Sequence, residues 1–218
     1  MAKQLPLPFP DLPHYAAADF ISAPSNALAQ ELLAKPASWT NGRLVLWGEA
    51  GCGKTHLLHI WAAAQGARMI EGVGLAGLPR PDGPVAVDDA DLAPDPRALL
   101  HLLNGAAEAG LPVLMAARLA PSRQSIKLAD LASRLRASQT AEIRAPEDEL
   151  LARLLSRLAA DRQLALSIGV RNYLLTQLPR TAAHLREAVA RLDRAALDRG
   201  VKVTRAFAAD LLQDLVAT

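Results

Sequence analysis

Apolar and polar positions fall into two regimes along the chain. As far as about residue 145, short apolar runs of strand length alternate with longer stretches of helical period. Arg43 to Trp47, Met69-Ile70, Val85 to Val87, Leu111 to Ala117 and Thr140 to Ile143 predict strands. The stronger of them are apolar throughout, as strands covered on both faces are. Thr55 to Ala64, Pro96 to Ala109 and Asp130 to Arg136 predict helices between them, the second closed by Gly110. A further helix, Asn26 to Ala34, precedes the first strand, with Ser25 in N-cap position and Pro36 past its end. A Gly/Pro-rich link runs from Gly72 to Pro84. This alternation implies a parallel α/β sheet with right-handed crossovers.

After Pro146 the strand signal stops. Glu147 to Ala160, Ser167 to Gln177, Thr181 to Asp198 and Thr204 to Val216 read as helices, with Val201-Lys202-Val203 the one stretch that suits a strand. Leu150, Leu154 and Leu158 recur at helical spacing, as do Leu185, Val189 and Leu192. A helical module of about 70 residues is too small to be strongly stable alone, so it should lean on the α/β part. The expected division is an extended tail over 1–12, an α/β domain over 13–145 and an all-helical domain over 146–218.

Composition narrows the function classes. The formal net charge of +2 does not by itself argue for nucleic acid, and 4% aromatic residues speak against a base-stacking platform. Cys52 is the single cysteine, so no internal disulfide forms and a reducing, cytoplasmic setting fits. No apolar run approaches the ~18 residues of a membrane helix. The proline-rich N-terminus has no sustained apolar core, so a secretory signal is not expected. Its Gln4-Leu5-Pro6-Leu7-Pro8-Phe9 run sets apolar anchors on an extended segment. That suits a peptide ligand for a groove on another protein, and equally an inert tail or one folded back on its own domain.

The chemistry concentrates at Gly48-Glu49-Ala50-Gly51-Cys52-Gly53-Lys54-Thr55, which fits G-x-x-x-x-G-K-[ST] between a predicted strand and a predicted helix. Gly48, Gly51 and Gly53 let the backbone turn its N–H groups inward at the positive end of the helix, where a polyphosphate can accept them. Lys54 would reach the β- and γ-phosphates, and the Thr55 hydroxyl would ligate Mg²⁺. Cys52 occupies a variable position of the loop, as a small tolerated residue rather than a reactive thiol. The strand Val85 to Val87 ends in Asp88-Asp89, and ligands of parallel sheets bind beyond such strand ends. If this strand neighbours the loop's strand, Asp88 would hold Mg²⁺ and Asp89 would orient or deprotonate an attacking water. The plain alternative is an acidic helix start with Asp91 and Asp95 as caps.

These residues resemble the AAA+ portion of the DnaA family of bacterial replication initiators and, within it, the short Hda-type homologues that inactivate the initiator. The resemblance rests on Gly53-Lys54-Thr55-His56-Leu57, Asp88-Asp89, Ser133-Arg134-Leu135, Leu185-Arg186-Glu187 and the upstream Asp19-Phe20-Ile21 with Ser25-Asn26, in that family's order and spacing. It implies an AAA+ fold: a phosphate-loop parallel sheet domain, a small all-α lid and a short extended tail. It implies that Ile21, Cys52 and His56 join the loop in binding ADP or ATP. Arg186 would be the second sensor arginine, and Arg134 an arginine finger for a neighbour's nucleotide. The tail resembles the motif that binds the β sliding clamp, with Gln4, Leu5, Leu7 and Phe9 as contacts. The expected partners are therefore DnaA and the clamp, with DNA reached indirectly and no membrane. A finger arginine implies head-to-tail contacts, a homo-oligomer included.

The chain stops at Thr218, shortly past the lid, so the initiator's DNA-binding module is not expected. Where the family carries a polar first-sensor residue, this chain has Ala116-Ala117-Arg118, with Arg118 or Ser122 as substitutes. An alanine cannot hydrogen-bond a phosphate, so weak intrinsic hydrolysis or a structural ADP is expected. Two other readings remain: a stand-alone phosphate-loop ATPase or small-molecule kinase using Lys54, Thr55 and Asp88, and a module that binds single-stranded DNA. Balanced charge and few aromatics weigh against the last.

Overall fold

The computed structural model describes residues 15–216. Five parallel strands form one sheet: β1 (Arg43–Trp47), β2 (Arg68–Glu71), β3 (Val85–Asp88), β4 (Val113–Ala117) and β5 (Gln139–Glu142), in the order β2-β3-β4-β1-β5. Around it lie α1 (Ala27–Leu33), α2 (Lys54–Gln65), α3 (Pro96–Glu108) and α4 (Ala129–Arg136). Period-two alternation sorts the strand side chains into two cores. Val45, Val85, Val87, Val113 and Met115 face α3 and α4. Leu44, Leu46, Ala86, Leu114 and Ala116 face α1 and α2. Apolar cover on both faces explains why β1, β3 and β4 carry hardly a polar side chain.

The helical part comprises α5 (Asp148–Asp161), α6 (Ile168–Gln177), α7 (Ala182–Arg199), α8 (Arg205–Leu211) and α9 (Gln213–Val216) around its own core of Leu151, Leu155, Leu174, Leu185, Val189 and Leu192. Ser167, Thr181 and Thr204 each cap a helix by accepting a hydrogen bond from the backbone N–H three residues on. The single helix expected over Thr204 to Val216 is broken at Leu212, which leaves the helical region. Val201 to Val203 is an irregular link, not a strand.

The segment before α1 stitches sheet and lid together. Phe20 packs with the α1/α2 side of the sheet and Ile21, the next residue, with the lid core. From α5, Arg157 binds the Ala18 carbonyl and pairs with Asp19, while Arg153 donates to the Ser22 carbonyl. Ser25 is not the cap of α1. The N-cap is Asn26, without a side-chain cap bond, and the Ser25 hydroxyl donates to Glu147 at 2.8 Å, just before the lid. A tertiary acceptor has taken the hydroxyl that local sequence assigned to the helix end.

Candidate functional site: the phosphate loop and its neighbours

The loop leaves β1 at Gly48 and enters α2 at Lys54. A β-carbon on Gly48 would lie 2.2 Å from the Ile143 carbonyl oxygen at the end of β5, so no side chain fits. Gly51 and Gly53 hold φ of 78° and 107°, a region that favours glycine. No side chain caps the start of α2, and the first N–H groups of a helix have no intrahelical partner. The loop thus ends in a cluster of donors at the positive end of a helix, which is what a phosphate needs.

Lys54 is buried, its Nζ donating to the carbonyls of Gly48 at 2.7 Å and Glu49 at 2.8 Å. Cys52 Sγ lies 3.8 Å from the same ammonium. Burial raises the Cys52 pKa, against the charge of Lys54, which keeps the thiol protonated and unreactive.

The strand of Asp88 is not adjacent to β1. β4 lies between them, yet Thr55 Oγ1 donates to Asp88 Oδ2 at 2.6 Å. The first turn of α2 bridges the width of β4, so the condition of neighbouring strands was unnecessary. Asp89 holds φ 45° and ψ 47°, a left-handed backbone uncommon outside glycine. That twist presses its carbonyl against Gly72, where a β-carbon would lie 2.2 Å away.

These groups surround a cavity of about 260 Å³ walled by Tyr15, Lys54, Thr55, Asp89, Arg118 and Arg186, together with the loop residues and His56. Arg186 reaches in from α7. Burial lowers its pKa from the ordinary value, while Tyr15 and Asp19 act the other way. His56 is buried, its Nε2–H donating to the Ala16 carbonyl at 3.0 Å, and Tyr15 and Phe20 meet its ring edge-on. Burial holds its pKa below the usual 6.5, so it is neutral at neutral pH. Thr181, the cap of α7, sits on the loop, with its Cβ 3.1 Å from where a β-carbon of Gly51 would be.

Of the residues expected at the site, the structure brings Gly51, Gly53, Lys54, Thr55, His56, Asp89 and Arg186 to one cavity. Gly48, Cys52 and Asp88 stand behind its wall, and Ile21 packs into the lid core. Arg118 faces the cavity and Ser122 does not. Tyr15 and Thr181 escaped the sequence reading, since one follows a proline-rich stretch and the other looks like an ordinary helix cap. Gln4, Leu5, Leu7 and Phe9 lie outside the described residues. Arg134 is half-buried on α4, outside both the cavity wall and the buried core. Among the described residues no group of three or more His, Cys, Asp or Glu is placed to hold a metal, and no helix is long and apolar enough to cross a membrane.

Residues 148–212 match the family model described as Hda, lid domain. That match covers the helical part, from the start of α5 to the residue after α8. Its fold is similar to domain III of the Thermotoga maritima replication initiation protein DnaA, with a TM-score of 0.79 and 19% identity over 95% of this chain and 99% of that one. AMPPCP-bound DnaA from Aquifex aeolicus matches at a TM-score of 0.68 and 18% identity, over 94% and 73%. The Thermotoga maritima RuvB Holliday junction branch migration motor matches at 0.65 and 18%, over 86% and 67%. At these identities the structural likeness speaks for the fold alone. An uncharacterized protein of Haemophilus influenzae is 28% identical over 230 residues, covering 97% of this chain and 99% of its own.

Proposed function

We propose that this protein is a nucleotide-binding regulator of replication initiation that is tethered to the β sliding clamp and stimulates ATP hydrolysis by DnaA. One observation carries the reading. The loop, Asp89 and the lid's Arg186 share one cavity, while Arg134 stands outside it, free to serve a different molecule's nucleotide. In this reading residues 1–12 are the clamp-binding tail, 13–145 the AAA+ domain and 146–218 the lid.

The residues present suit ADP or ATP. Gly48 has no room for a side chain, and the donors of the loop and first helical turn converge where phosphates would lie. Lys54 would exchange two neutral carbonyls for charged phosphate oxygens, a stronger bond. Thr55 and Asp88 offer Mg²⁺ two oxygens, which suits an ion that keeps several waters and takes its other ligands from phosphate. Bound nucleotide supplies the phosphate charge that joins loop to lid through Arg186. Asp89 would orient a water at the cavity wall. Arg134 would stabilise charge developing on the γ-phosphate of DnaA, an effect worth about 10³–10⁵ in rate for arginine fingers generally. Gln4 would hydrogen-bond at one end of the clamp groove, and Leu5, Leu7 and Phe9 would fill its apolar part.

The decisive measurement is ATP hydrolysis by purified DnaA with clamp-loaded DNA, with this protein or its Arg134→Ala variant. Loss of stimulation is expected, and an undiminished rate with the variant defeats the reading. Deleting residues 4–9 should abolish capture on immobilised clamp. A second reading, a stand-alone ATPase, draws on Arg118, which gives the cavity a cationic donor where alanines otherwise stand. Brisk turnover by the protein alone, abolished by Arg118→Ala, favours it.

A further inference from the structure

Arg43 opens β1 at the end of the sheet opposite the phosphate loop and is 5% exposed. The β1–β5 register pairs Leu44 with Gln139, which brings Arg43 level with Ser138 at the foot of β5. Ser138 closes the last turn of α4, its hydroxyl donating to the Arg134 carbonyl at 2.9 Å. Asn41 Nδ2 ties the same corner by donating to the Ala137 carbonyl at 3.1 Å. Arg43 is therefore packed against the turn that carries Arg134.

Its charge is uncompensated. Among the described residues Arg43 has no ion pair, and its Nε is buried without a hydrogen-bond partner. The influences on its pKa are burial and the charge of Arg134, and both lower it. A guanidinium nitrogen withdrawn from water without a partner, on a cation without a counter-ion, destabilises the fold, and the negative end of α4 offsets part of that cost. A second cation beside the first makes the corner more unfavourable still in the free molecule. Such an arrangement is relieved when an anion docks against it.

We propose that Arg43 is a positioning residue for Arg134, a buried fixed charge at the α4–β5 corner that drives the Arg134 guanidinium outward and adds to the positive field met by the terminal phosphate of a second AAA+ molecule's nucleotide. Arg134 makes the contact and Arg43 acts through it. This rests on the finger role given to Arg134 above, and the experiment separates the two.

Arg43→Met, Arg43→Lys and Arg134→Ala are compared with wild type in thermal melting and in stimulation of ATP hydrolysis by DnaA on clamp-loaded DNA. Arg43→Met is expected to melt at or above the wild-type temperature, since an unpaired buried charge is gone. It should nevertheless lose stimulation about tenfold, the order expected for removing one unit charge near a phosphate at an intermediate effective dielectric. The loss should fall on the rate at saturating protein rather than on the concentration needed. Arg43→Lys should restore most of it. Arg43→Met that melts lower, stimulates within twofold of wild type, or matches Arg43→Lys in its loss overturns the proposal. If Arg134→Ala abolishes stimulation while Arg43→Met does not, the finger stands and this inference falls. If Arg134→Ala stimulates normally, both fall.

Discussion

Gly48→Ala tests how tightly the phosphate loop is wedged against β5. The new β-carbon would lie 2.2 Å from the Ile143 carbonyl oxygen and 3.1 Å from Cys52 Sγ. Ordinary contact begins at 3.4 Å, so the loop or the strand must give by about 1.2 Å. Neither side yields easily, because the obstacle is backbone and the Ile143 N–H is itself held by the Trp47 carbonyl at 2.8 Å. Overpacking of this kind costs about 1–3 kcal/mol, and a backbone clash belongs at the upper end. In a chain of this size each kcal/mol moves the melting temperature by about 2–4 °C, so a drop of roughly 6–12 °C is expected. The displaced loop should also weaken binding of a fluorescent ATP analogue about tenfold, the equivalent of one charged hydrogen bond lost. Gly83→Ala is the control, since a β-carbon there meets nothing within 4 Å. A Gly48→Ala protein that melts within about 2 °C of wild type and binds the analogue normally would refute the wedge.

Other variants probe the rest of the site. Arg186→Ala should weaken nucleotide binding about tenfold in the same titration, through loss of one charge-assisted bond; an unchanged affinity removes the lid from the site. Leu155, 1% exposed at the centre of the lid core, should cost about 2–5 kcal/mol in urea unfolding when changed to alanine; a loss below about 1 kcal/mol would mean that the lid repacks. His56 gives a signed pH dependence. Its folded pKa lies below the ordinary 6.5, so its contribution is present above that value. It is lost as pH falls towards the folded pKa, because the unfolded chain protonates first. Stability measured at pH 7.5 and 5.5 should therefore fall less in His56→Gln than in wild type, and parallel losses would contradict this.

The strands β1, β3 and β4 were legible because burial on both faces removes nearly all polar side chains from their sequences. Their order was not. Nothing in Val85 to Asp88 announces that β4 will lie between it and β1, since pattern encodes which faces are covered and not which edge is paired. The motif chemistry survived that gap because α2 carries Thr55 across it. Ser25 misled for the opposite reason: a capping residue is recognised locally, and its hydroxyl was claimed by a carboxylate far along the chain. Tyr15 at the cavity and Thr181 against Gly51 arrive through tertiary packing, which leaves no periodic trace, whereas Arg118, named from the sequence as a first-sensor substitute, does face the cavity. The uncompensated charge of Arg43 was equally invisible, because an arginine opening a strand looks like an exposed end until its neighbours are known.

Thr181 makes loop and lid a geared pair. One hydroxyl-bearing residue fixes the start of α7 by accepting from the His184 N–H at 3.2 Å and at the same time rests on Gly51. A loop raised beneath it would press on one end of the longest helix of the lid. A partner gripping the far surface of α7 would thereby sense what lies against Lys54 without approaching it.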